Sequence, residues 1–191
     1  MELPACPEVL FHFSEDSSIV QFEPQVMNLG GEAAVWAIDE EHAPNYFLPR
    51  DCPRVTFYAT TQSAKEDITR FLGHGSRRVV AIESDWYTRV CATKLYRYCL
   101  PADSFSLQDS NAGYYISRQT VRPLRVEFME DLIHALLAAG IELRVMPSLW
   151  WLHDAVIGST LQFSMIRMRN AGSRHADGIH SALIQFARDG T

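Results

Sequence analysis

The chain has no surplus of positive charge. Lys and Arg number 17 against 23 Asp and Glu, for a net charge of −6. A protein that grips phosphate backbones along its length is usually basic, so general nucleic-acid binding is excluded as the main role. Cysteine is sparse: four residues, Cys6, Cys52, Cys91 and Cys99. No two form a Cys-x-x-Cys pair, and no Cys/His group has zinc-ligand spacing. Reduced, mostly buried thiols are expected, with no metal. No run approaches the ~18 consecutive apolar residues of a membrane span. The first residues, MELPACPEV, lack the basic start and apolar core of a secretion signal. A cytoplasmic protein without a membrane partner is the expectation. Repeats and low-complexity tracts are missing. So are a Gly-rich phosphate loop, a G-x-S-x-G elbow and an H-E-x-x-H pair, which removes the common cofactor and hydrolase signatures.

What is present is an ordinary globular composition, 47% hydrophobic and 21% charged over 191 residues. That suits one domain, taken as residues 1–171, followed by a polar tail, 172–191. The tail carries a weak helical pattern at Ile179, Leu183 and Phe186.

Residues 33–58 organise the reading. Residues 33–38 form a near-continuous apolar run, typical of a buried strand. Asp39 caps a short helix that Pro44 limits. Pro49 and Pro53 bracket a turn, Arg50-Asp51-Cys52, and a second strand follows over 55–59. Upstream, residues 9–14 read as the first strand. The segment 19–22 reads as a turn of helix or a bridge, and 25–32 as a loop around Gly30-Gly31. Downstream, Ser63 and Glu66 have capping-box spacing before a helix with Ile68, Phe71 and Leu72 on one face. Strands are expected at 79–82, 94–100, 105–107, 113–117 and 121–126, with Pro123 at an edge or bulge. A helix is expected from Ser84 to about Ala92. An amphipathic helix is expected over 127–139, with Met129, Leu132, Ile133, Leu136 and Leu137 inward. Residues 141–145 alternate strictly and predict a half-exposed strand. The apolar runs 149–157 and 161–168 lean helical, with Arg167 and Arg169 flanking Met168. Many short strands with scattered helices predict an α+β fold with mixed, mostly antiparallel sheets.

Several side chains could carry chemistry. His12, between Phe11 and Phe13, is either a pocket imidazole that holds a ribose hydroxyl or a structural histidine near a sheet edge. Arg50 and Arg54, held by prolines, are either a phosphate or carboxylate clamp or internal partners of Asp51. Trp36, Tyr46, Tyr114 and Tyr115 are either stacking platforms or core. Because successive strand residues face opposite sides, one of Tyr114 and Tyr115 should look into any cleft. His42 reads as a solvated helix residue. His74 reads as a loop histidine, on the surface or in a lid. No pair of acids has a spacing that argues for carboxylate catalysis.

The segments Leu10-Phe11-His12-Phe13-Ser14, Val35-Trp36-Ala37-Ile38-Asp39, Arg50-Asp51-Cys52-Pro53-Arg54 and Ala112-Gly113-Tyr114-Tyr115-Ile116-Ser117 resemble a family of uncharacterised small bacterial proteins. The likeness covers nearly the whole chain to Asn170 and implies no established activity. More distantly, His12-Phe13-Ser14, Trp36 with Ala43…Tyr46, and the strand at Tyr114 resemble the three motifs of the ADP-ribosyltransferase-like fold, which includes the RNA 2′-phosphotransferases. That resemblance implies a histidine on a ribose, an aromatic on nicotinamide and a glutamate on an oxocarbenium-like transition state. Here Phe13 replaces a glycine, Trp36 replaces Tyr or Ser, and Tyr114 stands where the glutamate would be. Loss of that carboxylate removes charge that would stabilise a cation. Arg118 is near the arginine of the phosphotransferase branch but off its spacing.

These readings combine into one expectation. His12 and Tyr114 would be catalytic, and Ser14, Trp36, Tyr46, Arg50 and Arg54 would bind NAD or a related small nucleotide. A non-catalytic interaction module on the same fold is the alternative. A hydrolase that pairs His12 with an aspartate is a third reading.

Overall fold

A computed structural model describes residues 8–26 and 32–174. Among them are ten strands and four short helices. Six strands form one sheet: β1 (Val9–Ser14), β2 (Val35–Ile38), β5 (Leu95–Pro101), β6 (Ser106–Asp109), β7 (Tyr114–Ser117) and β8 (Arg125–Met129), in the order β6-β7-β2-β1-β5-β8. Four form the other: β3 (Arg54–Tyr58), β4 (Arg78–Glu83), β9 (Ile141–Met146) and β10 (Gln162–Ile166), in the order β10-β3-β4-β9. Only β4 and β9 run parallel; the other named pairings are antiparallel. The α+β expectation with mostly antiparallel sheets therefore holds.

The centre of the smaller sheet shows why. All six residues of β4 are buried, so both faces of the strand must be covered. Val80 and Ile82 face one core, shared with Phe11, Ile38, Leu95 and Cys99 of the large sheet. That core also holds Val90 of α2 (Ser84–Ala92) and Leu132 and Leu136 of α3 (Leu132–Ala138). Val79 and Ala81 face a second core, closed by α1 (Lys65–Leu72) and α4 (Trp150–Ile157). The far face of the large sheet buries Leu10, Ala37, Tyr98, Leu100 and Tyr115 under Phe22 and Val121. Phe22 and Val121 form an isolated bridge, which settles the segment 19–22.

Residues 33–58 cross between the sheets. β2 lies in the large sheet and β3 in the small one, joined by a 3-10 turn, Ala43–Tyr46. Asp39 is not the helix cap expected of it, because the N-cap of the 3-10 turn is His42; Asp39 Oδ1 orders the residues before the turn by accepting the His42 N–H at 2.9 Å.

Several expectations need correction. Residues 162–166 are a strand, not a helix: β10 pairs with β3 from Gln162↔Tyr58 to Ile166↔Arg54, and only Met168 enters a short 3-10 turn, Met168–Asn170. An apolar run of that length fits a buried strand as well as a helix, and the free edge of β3 decides it. The helix expected over 127–139 begins only at Leu132, where Asp131 accepts the His134 N–H at 2.8 Å. Met129 belongs instead to β8, which Pro123 precedes, while Leu137 is exposed. The capping box does not form. Thr160 ties the start of α1 instead, accepting from Ala64 N–H at 2.8 Å and donating to Asp67 at 2.7 Å. Cys52, Cys91 and Cys99 are free thiols, and no metal-ligating cluster occurs among the described residues. No described helix is long and apolar enough to cross a membrane. Cys6, Gly30-Gly31 and the helical pattern at Ile179, Leu183 and Phe186 lie outside the described residues.

Candidate functional site

Where the sheets meet, they leave a cavity of about 390 Å³. One wall comes from β1, β2 and β7 of the large sheet, the other from Arg54, from β10 and from the residues just after it. His12, Ser14, Trp36, Tyr46, Arg50, Arg54 and Tyr114 all border it. So do residues that sequence reasoning left out: Ser164, Arg167 and Arg169, with Leu48, Leu95 and Met165 as apolar floor. The signal in the sequence is the pair Arg167 and Arg169 flanking Met168, which the strand β10 carries to the cavity.

Arg54 lies at the bottom, 2% exposed. Its Nη1 donates to the carbonyls of Pro49 and Cys52, both at 3.1 Å. Its Nε has no acceptor among the described residues. The guanidinium stands 5.4 Å from the centre of the Tyr46 ring. No carboxylate among the described residues pairs with it, and burial pulls its pKa down. A buried cation without a counter-charge is expensive to maintain. Neither Arg50 nor Arg54 pairs with the Asp51 carboxylate; the Asp51 carbonyl instead accepts from Asn170 Nδ2 at 2.7 Å.

The other arginines climb from this floor to solvent. Arg50 and Arg169 are exposed, and Arg167 is half-buried. Arg167 Nε donates to the Arg50 carbonyl at 3.2 Å. Its backbone has φ 55°, the single positive φ of a described non-glycine residue. Such strain costs about 1–2 kcal/mol and gathers at ligand clamps. Among the described lining residues, four arginines face one carboxylate, Glu15, whose Oε1 accepts the Arg50 N–H at 3.0 Å.

The aromatic wall is interlocked. The Tyr46 and Tyr114 hydroxyls hydrogen-bond to each other. Burial first, then Tyr114, push the Tyr46 phenol far above its ordinary range. Tyr46 therefore stays neutral at any ordinary pH. Trp36 meets Tyr114 edge-on at 5.8 Å and 85°, and Phe13 lies parallel to Tyr46 at 6.4 Å. The buried Trp36 Nε1 has no acceptor among the described residues. Tyr114, not the buried Tyr115, looks into the cleft.

His12 borders the cavity but turns its ring away. Alternation along β1 sends Phe11 and Phe13 toward Tyr46 and sends His12 to the opposite face. There the ring sits 4.6 Å from Phe22, and Nδ1 donates to the Trp36 carbonyl at 3.0 Å. Ser14 at the strand's end accepts the Asp16 N–H at 3.1 Å. Burial, outweighing the Trp36 carbonyl, depresses the imidazole below its ordinary 6.5. The unfolded chain then binds this proton at a higher pH than the folded one. The neutral ring's contribution is complete above pH 6.5 and is lost as pH falls below it. Urea midpoints at pH 7.5 and 5.5 should therefore fall further for the wild type than for His12→Gln. Equal falls in the two proteins would refute this.

His42 corrects another expectation. It is 5% exposed, not solvated. Nδ1 meets Asp39 Oδ1 at 2.7 Å and Nε2 meets Tyr58 OH at 3.3 Å. Tyr58 in turn donates to the Asn111 carbonyl at 3.2 Å. The chain Asp39–His42–Tyr58 pins the turn before β7, and so holds Tyr114 in place. His74 is exposed in its loop.

No curated protein and no solved structure matches the chain significantly. The model of one protein family does, over residues 11–171, a span that takes in every residue of this cavity. The chain belongs to DUF6886, a family of unknown function.

Proposed function

We propose that the cavity binds a nucleotide or NAD-like ligand, and that any reaction there is group transfer at a ribose or a phosphate. Arg54 carries this reading. A guanidinium 2% exposed, with no carboxylate partner and an unmet N–H among the described residues, suits a cavity completed by an anion. Arg50, Arg167 and Arg169 attract that anion from solvent, on a chain whose net charge is −6. Trp36, Tyr46 and Tyr114 offer the aromatic surface on which a flat ring rests. His12 acts on the ligand indirectly, by holding the Trp36 carbonyl. An ADP-ribosyltransferase-like architecture is part of the proposal; two mainly antiparallel sheets with the cavity at their junction support it.

A second reading, binding without catalysis, is favoured by one observation. Among the described lining residues the single carboxylate, Glu15, is held by the Arg50 N–H, and Tyr114 stands where a catalytic glutamate would.

Titration calorimetry with NAD, ADP-ribose, AMP and an RNA 2′-phosphate fragment tests both readings. At least one should bind with a dissociation constant of about 1 μM, near −8 kcal/mol. Release of nicotinamide or phosphate on incubation would select group transfer; binding with no turnover would select the second reading. Folded protein that binds none of the four refutes both.

A further inference from the structure

Trp36 and Tyr114 have a second side. Beyond them lies a more open depression of about 520 Å³, bordered by Gln108, Asp109 and Ser110. A break in strand pairing makes it. β6 pairs with β7 as Ser106↔Ile116 and Leu107↔Tyr115, then slips to Asp109↔Tyr114. Gln108 is the extra residue of a β-bulge. In a regular ladder Gln108 would oppose Tyr114 and Asp109 would point to the other face. The bulge brings Asp109 opposite Tyr114 as well, so both polar side chains share the Trp36–Tyr114 face. Bulges often re-aim side chains beside functional sites.

The charge here is opposite to that of the main cavity. Among the described residues, no arginine or lysine borders the depression. Asp109 Oδ1 accepts the N–H groups of Asn111 at 2.8 Å and Ala112 at 3.2 Å, which fixes the carboxylate. Its Oδ2 has no partner among the described residues. A fixed carboxylate, an amide and a hydroxyl beside an indole are the groups that hold the vicinal hydroxyls of a sugar.

We propose that this depression is a hydroxyl-binding subsite for the sugar of the ligand whose anion sits on Arg54. It rests on the reading of the main cavity as an anion site. One ligand then straddles the Trp36–Tyr114 wall, with phosphate on the arginine side and sugar hydroxyls on Asp109 and Gln108.

The test uses the full chain, with inorganic phosphate, ribose 5-phosphate and phosphoethanolamine as probes. Wild type should bind ribose 5-phosphate at least about tenfold tighter than phosphate, the worth of one hydrogen bond to a charged group. Asp109→Asn keeps the Oδ1 that orders the turn, and should reduce that advantage to about twofold. Its affinity for phosphate should not change. Gln108→Ala should reduce the advantage in the same direction. Phosphate binding without a sugar advantage, or an advantage that Asp109→Asn leaves intact, overturns the subsite alone. Tighter binding of phosphoethanolamine than of ribose 5-phosphate overturns the choice of hydroxyls over an ammonium group. Failure of both phosphate and ribose 5-phosphate to bind overturns the anion site and the subsite with it.

Discussion

Arg54→Met is expected to abolish anion binding while leaving the fold as stable as before. Phosphate affinity should drop by about 100-fold or more, since a charge-assisted contact is worth roughly 1.5–3 kcal/mol and several converge on one guanidinium. Stability is a balance of two terms. Methionine leaves the Pro49 and Cys52 carbonyls without the donor they have now, at about 1–3 kcal/mol each. It also removes a buried cation that has no carboxylate partner, which returns several kcal/mol. The net change in unfolding free energy should stay within about 1–2 kcal/mol, and an increase is as acceptable as a decrease. Urea unfolding and calorimetry on the same preparation give both numbers. A variant that loses more than about 4 kcal/mol would identify Arg54 as a staple for the 49–54 turn rather than an anion seat. Unchanged phosphate affinity would defeat the proposal outright.

Gly113→Ala should destabilise more than alanine at any other described glycine, because only there would a Cβ meet atoms closer than 3 Å. Gly113 has φ +68°, which costs an alanine about 1–2 kcal/mol. A Cβ there would also sit 2.7 Å from both carboxylate oxygens of Asp39 and closer still to His42 Nδ1. Neither neighbour can retreat, because Asp39 and His42 are bonded to each other, and the Gly113 carbonyl accepts the Asp39 N–H at 3.1 Å. Breaking that network adds roughly 1–3 kcal/mol. The expected total exceeds about 3 kcal/mol. Gly140→Ala is the control. Its φ is +72°, but a Cβ there meets nothing within 4 Å, so only the backbone cost of about 1–2 kcal/mol should appear. Equal losses in the two variants would show that the Asp39–His42 contact yields freely. Because Tyr114 follows Gly113, ligand affinity should weaken with stability only in the first variant.

Local chemistry made some of this legible. The apolar run of β4, the alternation of β9 and the one-sided helix α1 each follow from side-chain periodicity against a solvent boundary. The turn that Asp39 orders needed only its neighbours. The crowding of Trp36, Tyr46, Arg50 and Arg54 into one passage marked the cavity, and all four border it. The sequence could not say that Arg54 and Arg50 part company, one at the floor and one at the rim. Nor could it say that His12 turns its ring to Phe22, since that depends on which face of β1 meets the second sheet.

Periodicity and composition alone therefore determined an α+β fold class with a small set of rare side chains near residues 33–58. Tertiary structure decided what those side chains do. Arg54 is buried because β10, more than a hundred residues later, pairs Ile166 across from it and brings Arg167 beside it. Asp109 reaches Tyr114 because one strand carries an extra residue that its partner lacks. Periodicity reports only which face of an element avoids water. The free energy of a charge depends on every group around it, and most of those groups lie far away along the chain.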